Sequence, residues 1–267
     1  GRKGEELTGY PAISIWHEFQ YYPNEYITGA FDWIYEHLGM FMWTVEIWNP
    51  KKEAGIDNKE WIHWFRDHPV EDDLKMLHWS DRELDGRGHV DWRPFDHPQL
   101  GKVELGGWNK AKAFNNPPPH RLEAEIARFP QWLLWQALIS PKLELREVAV
   151  VRVGEDLWRV RLVVQNSGWL PTYVTKMAVR HKVLRGLLAE IALPAGASLV
   201  DGKPREELGE LEGWAYLHTG ISFWPNPRPT ADRAHVDWIV RAPAGTEIGL
   251  TAWHERAGRV TATATLR

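Results

Sequence analysis

The sequence contains no cysteine among its 267 residues. This absence excludes disulfide bonds, thiolate zinc sites and a cysteine nucleophile. No apolar run reaches the roughly 18 residues that a membrane-spanning helix needs, so no membrane partner is predicted. The 32 basic and 36 acidic residues give a formal net charge of −4, which leaves no broad basic surface for nucleic acid.

Motifs of several enzyme classes are also missing. The chain has no G-x-S-x-G, no Walker loop and no G-x-G-x-x-G, so a serine-hydrolase elbow, a P-loop and a dinucleotide fold are not predicted. No signal peptide is visible. The chain opens with Gly1, not Met, and its first residues resemble the end of a structural element. We therefore expect a fragment or a processed chain.

Histidine is abundant, with 12 residues, and two His-x-x-Glu pairs have a spacing that suits metal ligands on a helix. They are His68–Glu71 and His120–Glu123. Pro69 predicts a loop for the first pair. The second lies at a helix start, where a cap and a first-turn acid explain it. Neither pair has an evident third ligand, so we predict no metal site at either.

The first 142 residues contain both helical and strand-like patterns. Gly9 predicts the end of a helix in residues 1–10, and Pro130 predicts a kink or a split in a helix at 119–139. The region 49–116 is rich in turns and tryptophan, and we expect it to wrap over a core. The other predicted elements are a strand at 12–20, a helix at 30–38, a strand at 40–48 and short helices near 57–66 and 70–78.

The pattern changes at Leu143, where short strands with regular turn signals begin. Such a succession is typical of a β-sandwich. We therefore predict two domains, an α/β part at 1–142 and an all-β, immunoglobulin-like sandwich at 143–267. Among the predicted strands are YVTKMAVRHKVL, LLAEIALPAG and TEIGLTAW.

Glu46 is the one charged residue in the apolar run Met40–Trp48. A carboxylate among such neighbours loses solvation, which favours a raised pKa and an acid/base role. The alternative is that strand alternation turns Glu46 toward water, since exposed charges on strands are common. The local pattern leaves both possibilities open.

The stretch from Tyr22 to Trp48 resembles the end of the catalytic domain of zinc metallocarboxypeptidases of the carboxypeptidase A type. The residues that carry the resemblance are Gly29, Asp32-Trp33, Tyr35, Gly39 and Trp43-Thr44-Val45-Glu46. The similarity is specific over about 45 residues, and the trailing β domain resembles that of a large bacterial subgroup. The resemblance implies the last part of an α/β/α catalytic domain, which releases C-terminal residues from peptide substrates.

Three residues gain roles from this resemblance. Glu46 would be the general base that activates a zinc-bound water and passes its proton to the leaving amine. Tyr22 matches the mobile loop tyrosine that closes over the substrate, with Tyr26 as the alternative. Phe31 would face the pocket for the terminal side chain of the substrate.

The zinc ligands of this family, and its substrate-binding arginines, precede the matching stretch and have no counterpart in residues 1–21. The two His-x-x-Glu pairs follow Glu46, which is the wrong order. We therefore expect zinc in the complete protein and none bound to this chain. The chain alone is predicted to be inactive without the missing N-terminal part of the catalytic domain.

A second hypothesis is a non-catalytic scaffolding protein that binds a peptide or a glycan. Its candidates are the tryptophan-rich loops and the polar and aromatic residues of the sandwich, since exposed aromatic rings can stack on sugars. Core and turn positions explain the same residues. These residues are Asn166, Trp169, Tyr173 and Trp224.

Overall fold

The computed structural model describes residues 1–18, 29–57, 62–216 and 229–267. It divides the chain into two compact units, each discontinuous in sequence. The helical unit comprises Gly1–Thr28 and Thr44–Leu134, and the β unit comprises Gly29–Trp43 and Trp135–Arg267. The β unit therefore includes residues 29–43, whereas the sequence-based boundary lies at 142/143.

The described helices follow in chain order. They are α1 (Arg2–Thr8), α2 (Ile15–Glu18), α3 (Ala30–Trp33), α4 (Pro50–Glu53), α5 (Val70–Leu84), α6 (Pro119–Ile126), α7 (Phe129–Ile139) and α8 (Lys176–His181). π-helical turns span Ile34–Leu38 and Lys110–Phe114, and 3₁₀ turns span His63–Phe65 and Trp214–Tyr216. No helix in the described ranges is long and apolar enough to cross a membrane.

Local sequence signals account for several helix ends. Helix α1 ends at Gly9, whose φ of 73° is left-handed, as the glycine stop signal predicts. Pro130 splits the predicted 119–139 helix into α6 and α7, because proline is tolerated only in the first turn of a helix. The helix predicted near 70–78 is confirmed as the longer α5.

Three predicted strands are wrong. Residues 15–18 of the predicted strand 12–20 form α2, and residues 176–181 of YVTKMAVRHKVL form α8. The segment 40–48 contains no strand. Alternating apolar residues make a strand only when a neighbouring chain pairs with the backbone, and the described residues offer 40–48 no such partner.

Tryptophans build the core of the helical unit. Trp48 and Trp79 pack with Leu84 and Ala113, at a ring-centroid distance of 6.1 Å between the two indoles. A neighbouring cluster joins Trp64 to Ile56 and Met76. Trp64 and Trp79 of the region 49–116 are thus core residues, whereas Trp92 is 62% exposed. An antiparallel hairpin, β1 (His89–His97) with β2 (Gly101–Trp108), lies within this region.

The described strands of the β unit are β3 (Leu143–Gly154), β4 (Leu157–Asn166), β5 (Leu188–Ala192), β6 (Ser198–Asp201), β7 (Arg205–Glu207), β8 (Arg233–Arg241), β9 (Glu247–His254) and β10 (Gly258–Thr265). They form two four-stranded antiparallel sheets, with strand orders β10-β9-β5-β7 and β3-β4-β8-β6. Alternate residues of both sheets form one core. This architecture is β-sandwich-like, as predicted for the trailing residues.

Strand alternation is clearest in β4. Trp158, Val160, Leu162 and Val164 are buried, while Arg161 between them binds Asp237 on β8 through two hydrogen bonds of 2.9 and 2.8 Å. Because successive side chains of a strand point to opposite faces, this pattern fixes which face of β4 meets the core.

Candidate functional site

Glu46 lies in an extended, exposed segment of the chain. Its side chain is exposed, and it has no hydrogen-bond or ion-pair partner among the residues that the structure describes. The described residues therefore leave the Glu46 carboxylate in contact with water.

The apolar neighbours of Glu46 are also exposed. Residues 40–43 are 39–52% exposed, and Ile47 is 40% exposed. Consecutive residues of an extended chain point to opposite sides, so apolar groups lie on both faces of this segment. Strands buried on both faces of a parallel sheet have this composition. The segment therefore exposes apolar side chains on both of its faces.

Phe31 and Asp32 lie at the start of α3. The Gly29 N–H donates to Asp32 Oδ2 at 2.9 Å, so Asp32 caps the helix. The Phe31 ring is half-buried and packs over Gly29, because a Cβ at Gly29 would lie 3.2 Å from Phe31 Cε1. Phe31 belongs to the β unit and Glu46 to the helical unit. Tyr22 and Tyr26 lie outside the described residues.

The helix that starts at Ala30 ends against two side chains of the β unit, Thr175 just before α8 and Arg256 in the turn between β9 and β10. The Gly39 carbonyl accepts hydrogen bonds from Thr175 Oγ1 at 2.8 Å and from Arg256 Nη1 at 2.9 Å. The Leu38 carbonyl accepts from Arg256 Nη2. Sequence patterns gave no signal for these contacts, because Arg256 and Gly39 are 217 residues apart.

A polar network lies beside Arg256. The backbone N–H of Arg256 donates to His254 Nδ1 at 3.1 Å, and His254 Nε2 lies 3.2 Å from Glu210 Oε2. Thr172 Oγ1 donates to Glu210 at 2.5 Å. Burial by itself raises the pKa of Glu210, but His254, Thr172 and the Arg256 charge outweigh it and lower that pKa. Glu210 thus stays anionic near the guanidinium.

In the two His-x-x-Glu pairs, His68 has a structural role and the other three residues are exposed. His68 contacts the Trp64 carbonyl at 2.7 Å and Asp73 at 3.1 Å, and the hydrogen bond to Asp73 raises the pKa of His68. Glu71, His120 and Glu123 are exposed. Across the described ranges, no three His, Asp or Glu side chains are placed to hold a metal ion. The described residues, including both His-x-x-Glu pairs, therefore do not fit a zinc site.

The β unit presents exposed aromatic residues on two neighbouring turns. Trp169, Trp214 and Tyr216 are 44–53% exposed. The turns are joined by hydrogen bonds from the Trp214 N–H to the Gly168 carbonyl at 3.2 Å and from the Ala215 N–H to the Trp169 carbonyl at 2.9 Å. These bonds place Trp169 and Trp214 on adjacent backbone segments.

The other candidates of the sandwich have structural surroundings. Asn166 is buried and its amide donates to the carbonyls of Leu170 and Glu212. Tyr173 is buried and its hydroxyl donates to Glu212 at 2.9 Å. Trp224 lies outside the described residues. Asn166 and Tyr173 therefore support the turn that carries Trp169.

One comparison with known proteins covers most of the β unit. A family model described as a domain of unknown function (DUF8731) matches residues 142–265. No curated protein is significantly similar to the chain. The residues around Glu46 lie outside the family match.

Two solved structures are similar at low identity. The GAE domain of GGA2p from Saccharomyces cerevisiae has 17% identity and a TM-score of 0.31, over 48% of this chain and 92% of that chain. DesR, a β-glucosidase from Streptomyces venezuelae in complex with D-glucose, has 12% identity and a TM-score of 0.22, over 48% and 15%.

Proposed function

We propose that this chain is the C-terminal part of a zinc metallocarboxypeptidase of the carboxypeptidase A type, with Glu46 as its general base. The support from sequence is the run from Gly29 through Asp32-Trp33 to Thr44-Val45-Glu46. The observation that carries the proposal is the uncovered apolar segment around Glu46, which has the composition of an inner strand. The rest of the α/β/α domain would cover it.

The chemistry assigned to Glu46 is proton transfer. An exposed carboxylate without a partner can take a proton from the attacking water and deliver it to the leaving amine. A sheet that covers the segment would exclude water from Glu46 and so change the affinity of its carboxylate for a proton. Because the described residues do not fit a zinc site, the metal ligands and the substrate-binding arginines would come from elsewhere in the complete protein.

The test uses the longer protein that contains these residues. Its sequence ahead of Gly1 is expected to hold H-x-x-E and a later histidine, and the purified protein to release C-terminal residues from peptides. Glu46→Gln should lower kcat/KM by about 10²–10⁴-fold with unchanged zinc content. The exposed hairpin residue Glu104 provides the control, Glu104→Gln. Full activity of Glu46→Gln would overturn the proposal.

The chain alone provides a second test. We expect no release of C-terminal residues and no tight zinc site on titration, since the described residues offer no ligand set. One tight site together with peptide cleavage by this chain would contradict the proposed division of the catalytic centre.

The second candidate function is binding of a peptide or a glycan by the β unit, favoured by the adjacent turns that carry Trp169 and Trp214. Aromatic rings with one open face offer rigid contact area. Tryptophan fluorescence would be titrated with peptide and oligosaccharide panels. Saturable binding that Trp214→Ala abolishes and Glu46→Gln leaves unchanged would support this function. Lack of saturation with both panels would exclude it.

A further inference from the structure

The β unit contains a built binding surface for the end of one helix. Helix α3 continues as a π-helical turn over Ile34–Leu38 and ends at Gly39, with φ 58°. The last carbonyls of a helix lack internal partners and carry partial negative charge. Here those carbonyls meet side chains from the distant β-rich sequence.

Arg256 satisfies three backbone carbonyls at once. Its Nη2 donates to Leu38, and its Nη1 donates to Gly39 at 2.9 Å and to Tyr173 at 2.8 Å. Tyr173 belongs to the same stretch as Thr175, whose hydroxyl also donates to the Gly39 carbonyl. The planar guanidinium fork thus joins the helix end to the 173–175 stretch, which a single ammonium could not do as well.

The backbones approach closely at the same place. A Cβ at Gly39 would lie 2.4 Å from the Ala178 backbone nitrogen, and Ala178 is fully buried. Only glycine fits both this contact and the left-handed conformation. The helix end is therefore seated on α8 as well as on Arg256.

Surrounding charges make a half-buried arginine tolerable. Burial lowers the pKa of Arg256, whereas the nearby carboxylates of Glu210 and Glu255 raise it. Thr172 and His254 in turn contact Glu210. A charge held in this way, with its donors aimed at carbonyls, is a specific binding group and not an incidental surface contact.

We propose that the β unit contains an intramolecular clamp, in which Arg256 and Thr175 hold the carbonyl end of the Ala30–Leu38 helix and so fix the direction in which the chain continues at Met40. Arg256 is a positioning residue, because it acts through the Leu38 and Gly39 carbonyls.

Amide hydrogen exchange on this chain tests the clamp without any activity. Arg256→Met should speed exchange of the Leu38, Gly39 and Met40 amides about tenfold or more, because charge-assisted bonds are lost. Thr175→Val, which keeps the volume, should speed it a few-fold, and Thr175→Ser should restore protection. The control is Arg241→Met, at an exposed position of β8. Exchange in β4 and β9 reports whether the variants remain folded.

In the same measurement, Arg256→Ala should regain part of its protection at Leu38–Met40 when millimolar guanidinium is added. Unchanged exchange at Leu38–Met40 in both Arg256→Met and Thr175→Val would overturn the clamp. An inactive longer enzyme with normal exchange effects would count against the carboxypeptidase function and leave the clamp supported.

Discussion

At the scale of single residues, one polar atom often connects distant parts of a unit. Tyr10 shows this in the helical unit. Its hydroxyl donates a hydrogen bond to Glu125 and accepts one from the backbone N–H of Trp48 at 2.9 Å. The centroid of its ring lies 5.4 Å from that of Phe129. One phenol thus joins the residues after α1, the start of the tryptophan core and α6.

Replacing Tyr10 by Phe should destabilise the helical unit. The Trp48 N–H and the Glu125 carboxylate lose their shared partner, which costs about 1–3 kcal/mol in free energy of unfolding. Urea unfolding followed by tryptophan fluorescence measures this. Tyr35→Phe, at a tyrosine that is 40% exposed, is the control, with a change within about 0.5 kcal/mol. Equal effects of both changes would contradict the role of the Tyr10 hydroxyl.

The same residue predicts an alkaline stability limit. Burial, and then the hydrogen bond to Glu125, raise the pKa of Tyr10 from 10.0 to about 12. Between these values the folded chain keeps a proton that the unfolded chain has lost. The contribution is therefore complete below pH 10 and is lost as the pH rises toward 12.

Urea unfolding measured between pH 9 and pH 12 should show this loss, at about the pH range set by the two pKa values. Tyr10→Phe should have a flatter dependence in the helical unit. Tyr173 contributes with the same sign in the β unit, because burial and the bond to Glu212 raise its pKa. An identical pH dependence in the wild type and in Tyr10→Phe would contradict the assignment.

At the scale of elements, the contact between the helix end and α8 depends on one glycine. Gly39→Ala adds a Cβ 2.4 Å from the Ala178 nitrogen at a left-handed φ. We expect a loss of about 1–2 kcal/mol from the backbone conformation and a further 1–3 kcal/mol from overpacking. Thermal or urea unfolding of the chain measures the sum.

Gly196 provides the matched control in the β unit. Its φ is 88°, but nothing lies within 4 Å of an added Cβ. Gly196→Ala should therefore show only the backbone cost of about 1–2 kcal/mol and unchanged amide exchange at Leu38–Met40. If Gly39→Ala and Gly196→Ala have equal effects, the close packing on α8 contributes nothing.

At the scale of the whole molecule, several large apolar side chains of the described residues are exposed. Leu133, Leu134 and Leu138 of α7 are 59–80% exposed, in addition to the segment around Glu46. Contiguous exposed apolar residues promote association. The isolated chain should therefore associate in a concentration-dependent manner.

Sedimentation velocity over a concentration series measures this association. The double substitution Leu134→Lys and Leu138→Lys, on one face of α7, should shift the distribution toward the monomer. Val179→Lys with Val183→Lys adds the same charge at other exposed positions and should have less effect. A monomer at every concentration for the unmodified chain would refute the expectation.

The sequence by itself determined features that depend on neighbours within one turn or one strand. Gly9 ends α1 because glycine adopts a left-handed conformation at low cost, and Pro130 separates α6 from α7. The alternation from Trp158 to Val164 fixed the buried face of β4 because strand side chains repeat every two residues. The composition after Leu143 was sufficient to predict the sandwich-like sheets.

Tertiary structure decided the features that depend on distant partners. Residues 40–48 have a strand pattern but no ladder, since hydrogen-bond partners for an extended chain are not encoded in the chain segment itself. The stretch at 176–181 became α8 against Gly39, although its pattern predicts a strand. Arg256 reaches carbonyls 217 residues away. The residue that holds the segment before Glu46 was therefore visible only in three dimensions.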